Sequence, residues 1–324
     1  TKEEAREVLV NISEGKYNQS QISAFLTVYM MRSITTDELE GFREALLDLC
    51  VAVDFSEYNS IDLCGTGGDG KNTFNISTLS SFVAAGARIN ITKHGNYGVS
   101  SVSGSSNVME SLGVKFSNDK HFLQKCLDEA GICILHAPLF HPAMKNVGPI
   151  RRELGVKTFF NMLGPMVNPA FPKNQMVGVF NLELARMYGY LYQNTDKNFT
   201  IIHALDGYDE ISLTGNTKTI TNSSENLLSP RDFGVQPLLQ EQIAGGNSVE
   251  SSATIFLDIL NGKNFITVVY HEVKAVRQID ILRKYNYIFN VGILRIWIFS
   301  PALVISRFWV NFYRISYYNH ISWF

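Results

Sequence analysis

Ile61-Asp62-Leu63-Cys64-Gly65-Thr66-Gly67-Gly68-Asp69-Gly70-Lys71-Asn72-Thr73-Phe74-Asn75-Ile76-Ser77-Thr78 runs from a short apolar stretch, through a cluster of glycines, into a helical pattern. The apolar start predicts a buried strand over Ile61–Cys64, and the spacing beyond Ser77 predicts a helix over Thr78–Gly86. Glycines between the two let the backbone turn tightly and present N–H groups to an anion. A helix opening at Ser77 and Thr78 favours negative charge at its N-terminus. The stretch thus predicts a phosphate cradle; an ordinary glycine turn is the bland alternative, and so many glycines between strand and helix argue against it.

Two familiar cradles fit poorly. Gly65, Gly67 and Gly70 match G-x-G-x-x-G, but a dinucleotide site wants an acid about 20 residues on, at the end of the next strand. That strand ends in Lys93-His94. Gly65–Lys71 also matches G-x-x-x-x-G-K, but Asn72 stands where a hydroxyl should hold Mg²⁺. A P-loop ATPase stays open as a lesser alternative.

Outward from the loop, apolar runs at Ile89–Lys93, Ile132–His136, Met176–Phe180 and Phe199–Ala204 alternate with helical patterns such as Ser106–Gly113. Alternation of this kind predicts an α/β fold with a mostly parallel central sheet, binding ligands at the carboxyl ends of its strands. Upstream, three helical patterns predict a small all-helical domain over residues 1–58. Thr1 with Glu4 and Thr35 with Glu38 read as capping boxes, and Ser20 as the cap of the second helix. The larger α/β domain then spans 59–263.

The strand ends carry the remaining chemistry. Lys93-His94-Gly95-Asn96 leads into a loop of small and hydroxyl residues that includes Ser100, Ser101 and Ser105; a cation and hydroxyls there suit phosphate oxygens. Lys93 alone would pass for a surface lysine. Asp209 and Glu210, after the strand Phe199–Ala204, suit Mg²⁺, a hard ion that takes oxygen ligands and bridges phosphates, although adjacent acids are common on surfaces. Arg151-Arg152 offers a guanidinium for a carboxylate, or simply a solvated helix face.

Charged residues are 18% of the 324 and the formal net charge is −2, so no broad basic field exists for nucleic acid. Cys50, Cys64, Cys126 and Cys133 form no C-x-x-C pair and read as reduced thiols of a cytoplasmic protein. The first residues read as a helix and not as a signal peptide, and a start at Thr1 rather than Met leaves room for residues upstream. Residues 288–312 are apolar, but Arg295 and Arg307 interrupt them, which argues against a membrane span.

Together these segments resemble the anthranilate phosphoribosyltransferase family of tryptophan synthesis. The match includes Gly65-Thr66-Gly67-Gly68-Asp69-Gly70, Phe74-Asn75-Ile76-Ser77-Thr78, Lys93-His94-Gly95-Asn96, Ser103-Gly104-Ser105 and His141-Pro142-Ala143-Met144. It continues through Arg151-Arg152-Glu153-Leu154-Gly155, Phe160-Asn161-Met162-Leu163-Gly164-Pro165, Asn168-Pro169 and Asp209-Glu210, over residues 1–263 in unbroken order. The resemblance implies a homodimer paired through the helical domain, which residues 154–172 rejoin. It implies two substrates, anthranilate and phosphoribosyl pyrophosphate, with Mg²⁺ as cofactor. Gly65, Gly68, Asp69, Thr73, Asn75, Ile76, Ser77, Thr78, Lys93, His94, Gly95, Asn96, Ser100, Ser101 and Ser105 would hold the phosphoribosyl pyrophosphate. Ser77, Asp209 and Glu210 would serve the metal. Gly65, Asn96, Arg151, His94 and His141 would meet anthranilate, with Arg151 on its carboxylate. Lys93, Asp69 and Ser77 would carry catalysis, chiefly by positioning and by stabilising the departing pyrophosphate; His94 is the candidate base. A pyrimidine nucleoside phosphorylase or a catalytically silent binding relative are the competing expectations.

Tyr97, Gly98 and Val102 depart from the family's usual Arg, Ala and Lys. The larger departure is residues 264–324: after Asn261-Gly262-Lys263 the family pattern stops, and all three tryptophans and seven Lys or Arg against two acids follow. The abruptness points to a shifted reading frame or a gene-model error, which resequencing across Lys263 would test; a clean read would reject it.

Overall fold

The structure, a computed structural model, describes residues 1–98 and 103–261. Ser100, Ser101 and the expected tail 264–324 lie outside the described residues. Helices α1 (Lys2–Ser13), α2 (Gln19–Met31) and α3 (Thr36–Asp48) come first. Each opens on a reciprocal cap: Thr1 with Glu4, Asn18 with Gln21, Thr35 with Glu38. The second cap is Asn18 rather than Ser20. Its amide oxygen accepts from Gln21 N at 2.9 Å while Gln21 returns a bond to Asn18 N at 2.9 Å, which satisfies two orphan donors at once.

The sheet has seven strands: β1 (Ile61–Gly65), β2 (Ile91–Gly95), β3 (Ile132–His136), β4 (Asn174–Gly178), β5 (Asn198–Ala204), β6 (Thr217–Thr221) and β7 (Glu225–Leu228), in the order β3-β2-β1-β4-β5-β6-β7. The first five are parallel; β6 and β7 add an antiparallel edge. The remaining helices are α4 (Ile76–Gly86), α5 (Ser105–Ser111), α6 (Lys120–Ala130), α7 (Ala137–Phe140), α8 (Gly148–Leu154), α9 (Phe160–Leu163), α10 (Leu182–Tyr192) and α11 (Val249–Leu260). The fold is thus a small set of N-terminal helices beside a larger α/β unit with a mostly parallel sheet, as the strand–helix alternation predicted.

Alternation along the strands separates two cores. Ile61, Leu63, Met176 and Ile202 face one side, packed with Leu79 of α4, Val108 of α5, Leu127 of α6 and Phe256 of α11. Cys64, Val177 and Ile201 face the other, with Tyr188 of α10 and with Leu9, Leu26 and Phe42 of α1–α3. Burial on both faces is what parallel strands need. Residues 159–167 pack into this second core: Phe159 stacks on Phe42 of α3 with ring centroids 4.5 Å apart.

Chain direction across the sheet reverses between β1 and β4. The crossover from β1 runs through α4 on one face and that from β4 through α10 on the other, so a crevice opens at the carboxyl ends of these two strands, paired there as Gly65 and Gly178. Open α/β sheets bind ligands at such a switch point.

Candidate active site

Two residues fix the crevice floor. A Cβ on Gly65 would lie 2.5 Å from Asp209 Oδ2, and one on Gly178 would run into the Asp209 backbone carbonyl. Only glycines at both strand ends let the loop carrying Asp209 and Glu210 settle over them. Gly67 and Gly68 are both left-handed, with φ of 62° and 76°, which glycine adopts without strain.

The acid pair faces the glycine loop directly. Asp209 Oδ2 accepts from the Gly67 N–H at 2.7 Å, and Glu210 Oε1 accepts from Ser77 N at 3.3 Å, at the first turn of α4. Loop amides and a helix N-terminus therefore converge with two carboxylates that are only 7% and 8% exposed. The Thr73 neighbourhood is braced by a bridge to Ala244 and by Phe74 N donating to Ile243 O at 3.3 Å.

These groups line a cavity of about 280 Å³. Of the expected phosphate-side residues, Gly65, Gly68, Asp69, Thr73, Asn75 and Ser77 line it from the loop. Thr78, Lys93, His94, Gly95, Asn96 and Ser105 close it from α4, β2 and α5. Ile76 is instead fully buried in the core behind α4, so its side chain faces away. Lys93 is 3% exposed and its Nζ donates to the Leu63 carbonyl at 2.5 Å. The Asn75 amide donates to Ser103 O at 3.3 Å, which ties the two loops together, and the Ser105 hydroxyl donates to Asn96 O at 3.3 Å within the second loop.

A second cavity, about 850 Å³, adjoins the first and shares His94, Asn96, Arg151 and Phe160 with it. His141 lines this one. Arg151 is largely buried on α8, donates to the Asn161 side chain at 3.1 Å and lies 5.4 Å from the Phe160 ring centre. Its partner is neutral, no ion pair holds it among the described residues, and its Nε has no acceptor. Burial lowers its pKa to about 10, so it stays cationic at neutral pH. A buried guanidinium beside a cavity and without an acid is suited to a ligand carboxylate.

His94 and His141 lie ring to ring, 5.2 Å between centroids. Burial, and then the neighbouring His141, pushes His94 down to about 3; burial pushes His141 down to about 4. Both imidazoles are neutral at pH 7. His94 Nδ1 is 3.0 Å from the Gly164 carbonyl. A carbonyl only accepts, so Nδ1 carries the proton and the buried, unpartnered Nε2 keeps its lone pair.

Asp62 went unread in the sequence. Fully buried on β1, it accepts from His94 N at 3.2 Å and from the Asn168 amide at 2.9 Å, and Asn168 also bonds Thr92 O at 2.8 Å. Burial raises its pKa, with Lys93 pulling the other way. Gly178 and Asn161 were missed as well, the latter despite standing inside a quoted motif. Among the described residues no three His, Cys, Asp or Glu side chains cluster as a metal cage.

A parallel-sheet crevice with a glycine loop, a facing acid pair and an accompanying helical bundle defines a class of glycosyl transferases. The chain matches the glycosyl transferase family a/b domain over residues 57–275 and that family's helical bundle domain over residues 1–50. Anthranilate phosphoribosyltransferase of Flavobacterium johnsoniae is 74% identical over 263 residues, covering 81% of this chain and 80% of that protein. The same enzyme of Christiangramia forsetii is 75% identical over 261 residues, covering 81% and 79%. The crystal structure of anthranilate phosphoribosyltransferase from Thermus thermophilus superposes with a TM-score of 0.84 at 28% identity, over 97% of this chain and 96% of that one. That from Saccharomyces cerevisiae in complex with PRPP and Mg gives 0.83 at 25% identity, over 97% and 94%. The chain belongs to the anthranilate phosphoribosyltransferase family.

Proposed function

We propose that the protein transfers the phosphoribosyl group of phosphoribosyl pyrophosphate to the amine of anthranilate in tryptophan biosynthesis. One juxtaposition carries this reading: a cavity of loop amides and carboxylates shares a wall with a larger cavity lined by Arg151, which among the described residues is paired with neutral Asn161 and with no acid. The pyrophosphate sits in the first and the anthranilate carboxylate meets Arg151 in the second. The two carboxylates and the Ser77 hydroxyl suit Mg²⁺, which binds through one or two carboxylates and keeps water and phosphate oxygens as its other ligands. Mg²⁺ when bound neutralises charge on the departing pyrophosphate.

In the reaction the amine nitrogen forms a bond to ribose C1 as the C1–O bond to pyrophosphate breaks, pyrophosphate leaves with the bonding pair, and the amine then sheds a proton to solvent. The Thr66 and Gly67 N–H groups are already held by Gly178 and Asp209, so the amides of Gly68–Gly70 take the leaving group. The lone pair on His94 Nε2 accepts an amine N–H and so orients the nucleophile; a basicity near 3 makes it an orienting group more than a proton sink. Asn96 lines both cavities and so sits between the two substrates, with Gly65 on the donor side.

The same reading divides the chain into a helical unit over 1–58, joined by about 154–172, a catalytic unit over 59–263, and a separate segment over 264–324. It pairs two copies through the helical unit, where Val28, Met30 and Met31 expose apolar surface at the end of α2. Four free thiols suit a cytoplasmic protein. The test is loss of anthranilate fluorescence on adding phosphoribosyl pyrophosphate. A Mg²⁺-dependent loss supports the reading; a folded protein that binds both substrates and shows no loss overturns it.

A further inference from the structure

Lys157 sits three residues beyond α8 with its side chain exposed, yet its Nζ donates to the carbonyl of Gly68 in the glycine loop. Its aliphatic arm lies over the same residue: a Cβ at Gly68 would stand 3.5 Å from Lys157 Cδ and 3.6 Å from Cε. Gly67 and Gly68, both left-handed, have no side chains to lock their orientation. What holds this turn is Asp209 on the Gly67 N–H from one side and Lys157 on the Gly68 carbonyl from the other.

The peptide that carries the Gly68 carbonyl carries the Asp69 N–H on its opposite edge, because the bond is trans. Lys157 lines the larger cavity and not the smaller one. A carbonyl drawn toward Lys157 therefore turns the Asp69 N–H away from it, toward the phosphate side. Lys157 is also anchored differently from the loop: two residues on, Phe159 stacks on Phe42 of α3 and on Phe160. Resting on the phosphoribosyl-transfer reading above, we propose that Lys157 is a positioning residue for the pyrophosphate of the donor. It holds the glycine loop in its anion-accepting form and couples that form to the placement of the helical unit. A solvated lysine that merely rests on a carbonyl would do neither.

Titration calorimetry of the full chain with phosphoribosyl pyrophosphate and Mg²⁺ separates the two. Lys157→Gln is expected to weaken donor binding about tenfold, or about 1.4 kcal/mol, and to raise the donor KM to match. Anthranilate KM and Tm stay near the wild-type values, and Lys157→Arg, which keeps the cation, restores binding to within about threefold. Donor binding by Lys157→Gln as tight as wild type overturns the proposal. So does an equal loss for both substrates together with a lower Tm, which marks a structural role. A wild-type protein that binds no donor in the presence of Mg²⁺ removes the transfer reading itself, and the proposal with it.

Discussion

Arg151 and Arg152 are neighbours in sequence and differ in burial. Successive residues on a helix point about 100° apart, so Arg151 is largely buried and lines both cavities, while Arg152 stays exposed and borders only the larger one. The pair reads in sequence as a solvated face; the fold alone makes Arg151 a buried cation. Arg151→Ala is expected to raise the anthranilate KM about a hundredfold, near 3 kcal/mol, with Arg151→Lys recovering only part of it. Steady-state kinetics decide this, and an unchanged anthranilate KM would remove Arg151 from the site. The two neutral imidazoles make a prediction of opposite kind. Their folded pKa values, about 3 and about 4, lie below the usual 6.5. The unfolded chain therefore binds their protons first, and stability falls as pH drops below about 6.5 toward those values. Urea melts of the wild type and of His94→Asn with His141→Asn between pH 7 and 4 should show a flatter loss in the double variant; parallel curves would mean other groups dominate. At this scale Lys93, His94 and Asp69 were legible because they flank glycines at predicted strand ends. Asp62 was not, because an acid inside an apolar strand gains meaning only once Asn168 and the His94 backbone are brought to it.

Among the elements, the strand ends are under tighter constraint than the helices. The Asp209 loop rests on Gly65 and Gly178 with no room for a side chain. Gly178→Ala must push the loop off β4, costing about 1–3 kcal/mol and weakening Mg²⁺-dependent donor binding; a variant with wild-type Tm and donor affinity would contradict the packing described. Helix α3 offers a milder test. Glu38 caps its first turn through Thr35, and Arg32, the larger influence, holds its carboxylate down at about 2. A depressed carboxylate contributes fully above its unfolded pKa of about 4.5 and loses the contribution as pH falls toward 2. Glu38→Gln should cost about 1 kcal/mol at pH 7 and only a small part of that near pH 2; an equal cost at both would point to packing instead. The five parallel strands were readable as apolar runs. The β6–β7 hairpin was not: Thr217-Lys218-Thr219-Ile220-Thr221 is rich in hydroxyls and β7 is mostly exposed, so neither stands out by hydrophobicity. Its place as an antiparallel edge follows from pairing with β5.

For the whole molecule, the crevice joins loop, acid pair and helical unit, so ligand and metal should stabilise it together. At a donor concentration one hundred times its Kd, binding adds about 2.7 kcal/mol. Phosphoribosyl pyrophosphate is expected to raise Tm with Mg²⁺ present and to leave it unchanged after chelation; an equal rise without metal would place the donor elsewhere than against Asp209 and Glu210. The class was written in the sequence: alternation of apolar runs and helical spacing points to a parallel sheet, and a glycine cluster between strand and helix gives a tight left-handed turn. Those are local rules, set by backbone sterics and by period, and they are written in adjacent residues. Tertiary structure decided what no local rule contains. It set Asp209 on the Gly67 amide across 142 residues and, among the described residues, gave Arg151 the neutral Asn161 rather than an acid as its partner. It also brought Lys157 to a loop 89 residues away. Each depends on the β1–β4 switch point and on residues 159–167 packing with α1–α3, because only the closing of two cores fixes which distant polar groups meet out of water.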